Sequence, residues 1–588
     1  MKQFFKFAFA SCLGVFLFFV LFGVIGSVWL GRRAAAESAK PVKPNSVLKI
    51  TLDKPIPERT NNLPISFIDF KEEKTLGLTD IIRTIEAAKA DDRVKGIYLE
   101  LDIVPLGLSQ ATELRRALKD FSEAGKFIVA WSKGYTQQAY YLASVADIVA
   151  LHPLGLIDLR GFGAVVPYFK HLLDKVGIQM EVFYAGNYKS ATEPFRLDRM
   201  SQYNREQLHA YLDPVSKAFL REIAQDRGLT PSAIEAAVQN FDGRDAELCL
   251  ERGLIDAIVW KDSVRQLIRQ ELGLDEADDI PVVTLGRYFP HVKDGVDYDL
   301  EDRIAIVYAE GSIVDGEGEL GQIGDERYTK ILRDIRHSKR VKAVVLRVNS
   351  PGGSAMASDN IWREIKLLKE AGKPVVVSMG DYAASGGYYI SCNADSIFAE
   401  PNTLTGSIGV FLMMPNMSGL FREKLGITWD TVRTHEWATR LTPYFPLSKD
   451  ETKVMQGLAD KIYDIFLTRV AEGRGMTKEQ VHAVAQGRIW SGARAKELGL
   501  VDEIGDLDRA IEAAAALAGL AKYRITEYPR VKEPLQQLLE ELVGMEESDL
   551  AAKALQKELG VHFDTYEQVR ALLDMQGPQA RLPFWIEW

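Results

Sequence analysis

The sequence predicts an α/β protein built from two tandem copies of one domain-sized unit. The segments RVKGIYLELD, KFIVAW and ADIVALHPLGLIDLRG recur in the same order as RVKAVVLRVN, KPVVVSMG and ADSIFAEPNTLTGSIG. The offset stays near ~247 residues, far longer than a solenoid repeat, so each copy is a domain rather than a stacking unit. Within each copy, short apolar runs alternate with stretches of helical spacing, the strand–helix–strand order of a buried sheet.

Size and composition agree. A chain of 588 residues can bury several cores, and 47% hydrophobic with 26% charged residues is ordinary for a folded protein. The net charge of -10 argues against nucleic-acid binding. Cys12, Cys249 and Cys392 are too widely spaced for a zinc site or a disulfide framework and read as core-filling residues.

The elements follow in order. Residues 7–31 carry no charge and are rich in Phe, Leu and Val. At about 1.5 Å per residue such a run crosses a bilayer, and an N-terminal transmembrane helix is expected. Lys2 and Lys6 precede it and Arg32 and Arg33 follow, so flanking charge does not fix its orientation. An Ala-x-Ala cleavage site exists at Ala34–Ala36, but a retained anchor over 1–33 is the expectation. A linker, 34–46, is rich in Ala, Pro and Ser. The first unit, 47–265, offers strands at Gly96–Leu101, Phe127–Trp131 and Ile148–Leu151, with helices from Gln110 and through Tyr140. An acidic connector, 266–300, follows. The second unit, 301–520, repeats the order at Ala343–Val348, Val375–Val377 and Ser396–Phe398, with helices through Trp362 and near Ala383–Tyr389. Asp147 and Asp395 fall at equivalent positions, which favours a structural role. A tail, 521–588, carries the amphipathic segments PLQQLLEELVG and AAKALQKEL, expected to cover a surface.

Four segments carry chemistry. NSPGG, Asn349–Gly353, follows a strand, and its glycine N–H groups suit an oxyanion, although a plain turn needs no more. MGDYAASGGYY is small enough for close backbone approach. Its Ser385 is a possible nucleophile with no base in view. TLTGSIG places Ser407 beside glycines, where the first copy has Leu159. GNYKSATEPF places Lys189 in a loop, where the second copy has Ala438 or a neighbour. A buried lysine loses charge and becomes a general base when a hydroxyl lies within hydrogen-bond reach. One copy holds a candidate nucleophile and the other a candidate base, as in a site divided between two units.

YKSATEPF, RVNSPGG, MGDYAASGGYYIS and TLTGSIGVF together resemble the signal peptide peptidases of serine protease family S49 in their long, membrane-anchored form. The resemblance covers roughly residues 1–520. It implies tandem duplicated ClpP/crotonase-like domains with helical extensions. It also implies a Ser–Lys dyad of Ser407 as nucleophile and Lys189 as base. The backbone N–H of Gly352, with Gly353 or Ile408, would form the oxyanion hole. No metal or cofactor is implied, and the partners are peptides, the cytoplasmic membrane and three further copies in a homotetramer. The catalytic units are expected outside the cytoplasmic membrane, hydrolysing cleaved signal peptides and other short apolar peptides. Two rivals are a crotonase-like acyl-CoA enzyme and a non-proteolytic membrane scaffold. The first accounts for neither the membrane anchor nor the division of serine and lysine between the copies; the second would keep its function without the Ser407 hydroxyl.

Overall fold

The structure, a computed structural model, describes residues 41–60, 76–276, 278–292, 300–530 and 577–581. The apolar run 7–31 and the two amphipathic tail segments lie outside the described residues. Among the described residues no helix is long and apolar enough to cross a membrane.

Each copy folds around a sheet of six parallel strands in the same order, to which the second adds Leu404–Gly406 and, antiparallel to it, Ile489–Ser491. In the first the order is Ala257–Ile258, Ile148–Leu151, Phe127–Ser132, Val94–Glu100, Ser46–Ile50 and Val282–Thr284. In the second, Glu503–Ile504, Ser396–Ala399, Val375–Ala384, Val341–Ser350, Arg303–Glu310 and Arg524–Tyr528 repeat it. The central strands read as near-continuous Val, Ile, Leu and Ala because helices cover both faces. Ile97 and Leu99 in one copy and Val344 and Val345 in the other are fully buried. The repeat runs past residue 520. Arg524–Tyr528 lies beside the second sheet's first strand, as Val282–Thr284 lies beside the first sheet's.

The duplication extends to single hydrogen bonds. The Asp147 carboxylate accepts from Ile128 N–H at 2.7 Å, and Asp395 accepts from Val375 N–H at 2.8 Å. Tyr140 donates to Leu254 O at 2.7 Å, and Tyr388 to Leu500 O at 2.9 Å. These pairs satisfy backbone groups that a turn leaves open, so Asp147 and Asp395 hold strands in place.

A third, mixed sheet joins the copies. Its order is Gln322–Gly324, Ser312–Val314, Gly352–Ser354, Gln579–Arg581, Phe411–Asn416 and Gln179–Tyr184. Polar contacts reinforce the junction. Arg347 is 1% exposed and reaches Glu58 at 2.8 Å and Glu113 at 2.7 Å. Asp381 accepts from Ser109 N–H at 2.7 Å and Gln110 N–H at 3.2 Å, at the start of the Leu108–Glu123 helix. A buried cation held by two carboxylates fixes geometry more than it adds stability, and removing one partner leaves a charge stranded.

Candidate active site

Strand register brings Lys189 to Ser407. Gln179–Tyr184 of the first copy runs antiparallel to Phe411–Asn416 of the second, with Tyr184 opposite Phe411. Lys189 follows this ladder and Ser407 precedes it, so the two chains converge at the same end. Ala185 N–H donates to Val410 O at 3.1 Å and extends the convergence toward the site. Ser407 also follows Leu404–Gly406, whose parallel partner Tyr382–Ala384 leads into Ser385. The site therefore sits beyond the carboxyl ends of the second sheet's strands, where α/β sheets bind ligands.

The lysine amine meets two hydroxyls. Lys189 Nζ lies 3.1 Å from Ser407 Oγ, 3.1 Å from the Ser407 carbonyl and 2.7 Å from Ser385 Oγ. Lys189 is 1% exposed, and both serines are 0% exposed. Burial alone holds the Lys189 amine well below the ordinary lysine value of 10.5, because a low-dielectric surround disfavours the ammonium. Both serines have left-handed backbone, with φ 50° at Ser407 and φ 56° at Ser385. Such strain in a non-glycine residue gathers at functional turns.

Several unpredicted residues hold the lysine. Gln207, fully buried, donates to Tyr188 O at 3.1 Å and Ser190 Oγ at 2.8 Å, bracketing Lys189. Gln207 Oε1 accepts from Ile489 N–H at 3.3 Å, tying this turn to the second copy. Tyr188 N–H donates to Gln486 O at 2.9 Å, and Gly487 N–H to Ile408 O at 2.8 Å. Gly487 lies flat on the lysine: a Cβ there would stand 2.6 Å from Lys189 Cβ, with φ at 79°. Only glycine fits. In the sequence, AVAQGRIW gave no sign of this beyond its glycine.

Two candidate oxyanion donors, Gly352 and Gly353, lie on the strand Gly352–Ser354. Gly352 N–H donates to Ser350 Oγ at 3.2 Å. Gly353 pairs with Ile313 on one side and Ala580 on the other. A Cβ on Gly353 would sit 1.9 Å from Ile313 O, so this close strand approach requires glycine. Ile408 is fully buried in the turn after Ser407, and its carbonyl accepts from Gly487. Among the described residues no cluster of three or more His, Cys, Asp or Glu is placed to hold a metal.

The first copy lacks these groups at the matching places. The bridge Tyr135–Ile157 corresponds to Ala383–Thr405. Two residues on, Leu159, 1% exposed, stands where Ser407 does, and Gln137 stands for Ser385. The helices Leu108–Glu123 and Ala355–Glu370 start in register, which puts Pro105 and Leu106 at the places of Gly352 and Gly353. Proline has no N–H to offer. Conversely, Ala438 and its neighbours, where the second copy aligns with Lys189, lie in an exposed turn.

Comparison with known proteins agrees with the duplication. The model of peptidase family S49 matches residues 120–275 and 367–521, one segment in each copy. The chain is 34% identical to "Protease 4" of Salmonella typhi over 90% of this chain and 87% of that one. It is 32% identical to "Serine protease SPPA, chloroplastic" of Arabidopsis thaliana, over 91% of this chain and 78% of that one. ClpP1 from Listeria monocytogenes is similar over 34% of this chain and 91% of that chain, at 21% identity and a TM-score of 0.22. At that score the α/β assignment rests on the sheets themselves.

Proposed function

The chain belongs to peptidase family S49, and on that premise we propose that it is a serine protease with a Ser407–Lys189 dyad shared between its two copies. The observation that carries this reading is the buried amine of Lys189, kept neutral by desolvation, 3.1 Å from Ser407 Oγ. Neutral Lys189 takes the Ser407 proton as Oγ attacks a peptide carbonyl. The tetrahedral oxyanion is met by backbone N–H groups of Gly353 and Gly352, the latter released from Ser350 Oγ, with Ile408 N–H as a further donor. Collapse breaks the C–N bond, and the lysine ammonium returns its proton to the leaving amine. Water then attacks the acyl-Ser407 ester with Lys189 again as base, which releases the acid and restores the serine.

Ser385 is assigned a positioning role. Its Oγ accepts from Lys189 Nζ at 2.7 Å and turns the amine toward Ser407. Extended, apolar peptides are the proposed substrates, signal peptides among them, because a strand groove reads backbone and excludes folded domains. Residues 7–31 are the proposed membrane anchor, which would put the site near released signal peptides outside the cytoplasmic membrane.

Assembly follows from quasi-symmetry. Within the chain, Gln179–Tyr184 of copy one pairs with Phe411–Asn416 of copy two. Their counterparts, 428–433 and 163–168, lie ~249 and ~248 residues away and are free of each other. They expose apolar side chains: Val165 is 98% and Val432 99% exposed, and Trp429 is 44% exposed. A second chain set head to tail would repeat the internal junction and cover both surfaces, and closure of such a heterologous contact makes a ring. A homotetramer is the proposed ring. The function is tested by hydrolysis of a short apolar peptide by purified wild type and Ser407→Ala. Turnover by the first alone supports it, and turnover by both rejects the dyad.

A further inference from the structure

One short turn, Gln486–Arg488, is bonded to both halves of the dyad. Tyr188 N–H, next to Lys189, donates to Gln486 O at 2.9 Å. Ser407 N–H donates to Arg488 O at 2.7 Å, and Gly487 N–H donates to Ile408 O at 2.8 Å. Glycines make the fit close. A Cβ on Gly186 would stand 2.4 Å from the Gln486 carbonyl carbon, and one on Gly409 would stand 2.8 Å from Gly487 Cα. The turn is thus a wedge whose position sets how the Lys189 segment lies against the Ser407 segment.

The wedge has a strained backbone. Gln486 has φ 58° and Gly487 has φ 79°, two left-handed residues in succession. A residue with a side chain stays in that region only where its surroundings hold it. Here the holder is a phenol. Gln486 N–H donates to Tyr463 Oη at 3.1 Å. Tyr463 projects from the long helix Lys449–Arg474 and is buried. Burial pushes its hydroxyl up to about 12, so it stays neutral. With one lone pair given to Gln486, the Tyr463 O–H is free to donate to His482 Nδ1, 3.0 Å away, when His482 carries its ring proton on Nε2.

We propose that Tyr463 is a positioning residue of the peptidase: its hydroxyl pins the Gln486–Arg488 wedge, which keeps Lys189 dry and in reach of Ser407. The proposal rests on the reading of Lys189 and Ser407 as the dyad. Without the hydroxyl, the Gln486 N–H loses its acceptor and the turn relaxes. Gly487 then lifts from the lysine it covers, and water reaches the amine. Desolvation is what lowers the Lys189 amine, so hydration returns it toward 10.5. The charged side chains of the packed turns are engaged elsewhere. Glu206 pairs with Arg488 at 3.1 Å and accepts from Tyr188 Oη at 3.1 Å, and Glu193 accepts from Ser201 Oγ and Asn204 Nδ2.

The test compares wild type, Tyr463→Phe and Tyr328→Phe. Phenylalanine keeps the ring and removes only the hydroxyl. Tyr328 is the control: it is also buried in the second copy, and its hydroxyl donates to Tyr308 O at 2.7 Å, away from the wedge. Hydrolysis of a short apolar peptide by Tyr463→Phe should show kcat lowered about 10–100-fold. KM should stay within about twofold of wild type. The rising limb of its pH profile should move up by about one pH unit. Tyr328→Phe should keep the wild-type kcat and limb, even where its melting temperature falls as far. Wild-type kcat in Tyr463→Phe, a loss of kcat with the limb in place, or an equal loss in Tyr328→Phe overturns the proposal. Hydrogen exchange followed by mass spectrometry separates this idea from the protease reading. If no form hydrolyses peptide, exchange on the order of tenfold faster at Gln486 and Gly487 in Tyr463→Phe alone still upholds the pin. Unchanged exchange there rejects it.

Discussion

The two copies have one sheet order, one pattern of strand-holding aspartates and opposite chemical endowments. The second copy has glycine amides at 352 and 353, Ser385 and Ser407, and an exposed alanine where a base would stand. The first has Pro105, Leu106, Gln137 and Leu159 at the matching places, and Lys189. In the proposed dyad neither copy is complete alone. The first supplies a single amine, delivered across the junction by the Gln179–Tyr184 strand.

The sharpest way to break this comparison is to remove the second copy's hydroxyl. Ser407→Ala should reduce peptide hydrolysis by about 10⁴-fold or more, as for nucleophile loss in other hydrolases, with circular dichroism unchanged. Removing the first copy's amine comes next. Lys189→Met should lower kcat by about 10³-fold. Lys189→Arg should be no better, because arginine stays protonated. The wild-type rate should rise with pH through the folded-state value of Lys189, which lies below 10.5. Stability should move the other way in Lys189→Met. The unfolded lysine binds a proton that the folded one sheds, so wild-type stability is penalised below 10.5 and recovers as pH rises toward it. Thermal melting of Lys189→Met should therefore exceed wild type at pH 7 by about 2–4 °C per kcal/mol regained, a gain that vanishes above pH ~10.5.

A smaller effect is expected at Ser385. Ser385→Ala should cut kcat by about 10–100-fold. It should also shift the rising limb of the pH profile to lower pH, because a lone pair that stabilises the Lys189 ammonium is lost. A purely structural role would leave that limb in place. The smallest effect tests the other half of the comparison. Leu159→Ser in a Ser407→Ala background should restore no hydrolysis, because Lys189 reaches Ser407, and Pro105, at the place of Gly352, has no N–H to donate. Recovered turnover would show that the copies are interchangeable.

Much of this was legible in the sequence, and the reasons differ by element. Buried parallel strands announce themselves as apolar runs, so Ile148–Leu151 was placed at its observed bounds. The Val375 strand was read as three residues and runs on to Ala384. Its second half, SMGDYAA, is built of small residues that fit a tight strand or a helix equally well, and the helix begins only at Gly386. The Ser407–Lys189 relation was visible because the duplication lines up a serine with Leu159 and a lysine with an alanine. Ser385 was singled out without a base, since its contact with Lys189 spans 196 residues of chain and leaves no local pattern. Gln207 and Gly487 were missed for the same reason. The sequence predicts a helical tail over 521–588, and the structure corrects this at Arg524–Tyr528 and Gln579–Arg581, which are strands paired to neighbouring edges.

The central claim is that the second copy's Ser407, and not Ser385, is activated by the first copy's lysine. Geometry alone leaves room for a contest, since Ser385 Oγ is nearer to Lys189 Nζ, at 2.7 Å against 3.1 Å. The direct measurement is covalent labelling with a fluorophosphonate, followed by peptide mapping by mass spectrometry, in wild type and Lys189→Met. The account predicts a single adduct on Ser407 in wild type and none in Lys189→Met. An adduct on Ser385, or labelling of Ser407 that is undiminished without the lysine, would contradict it.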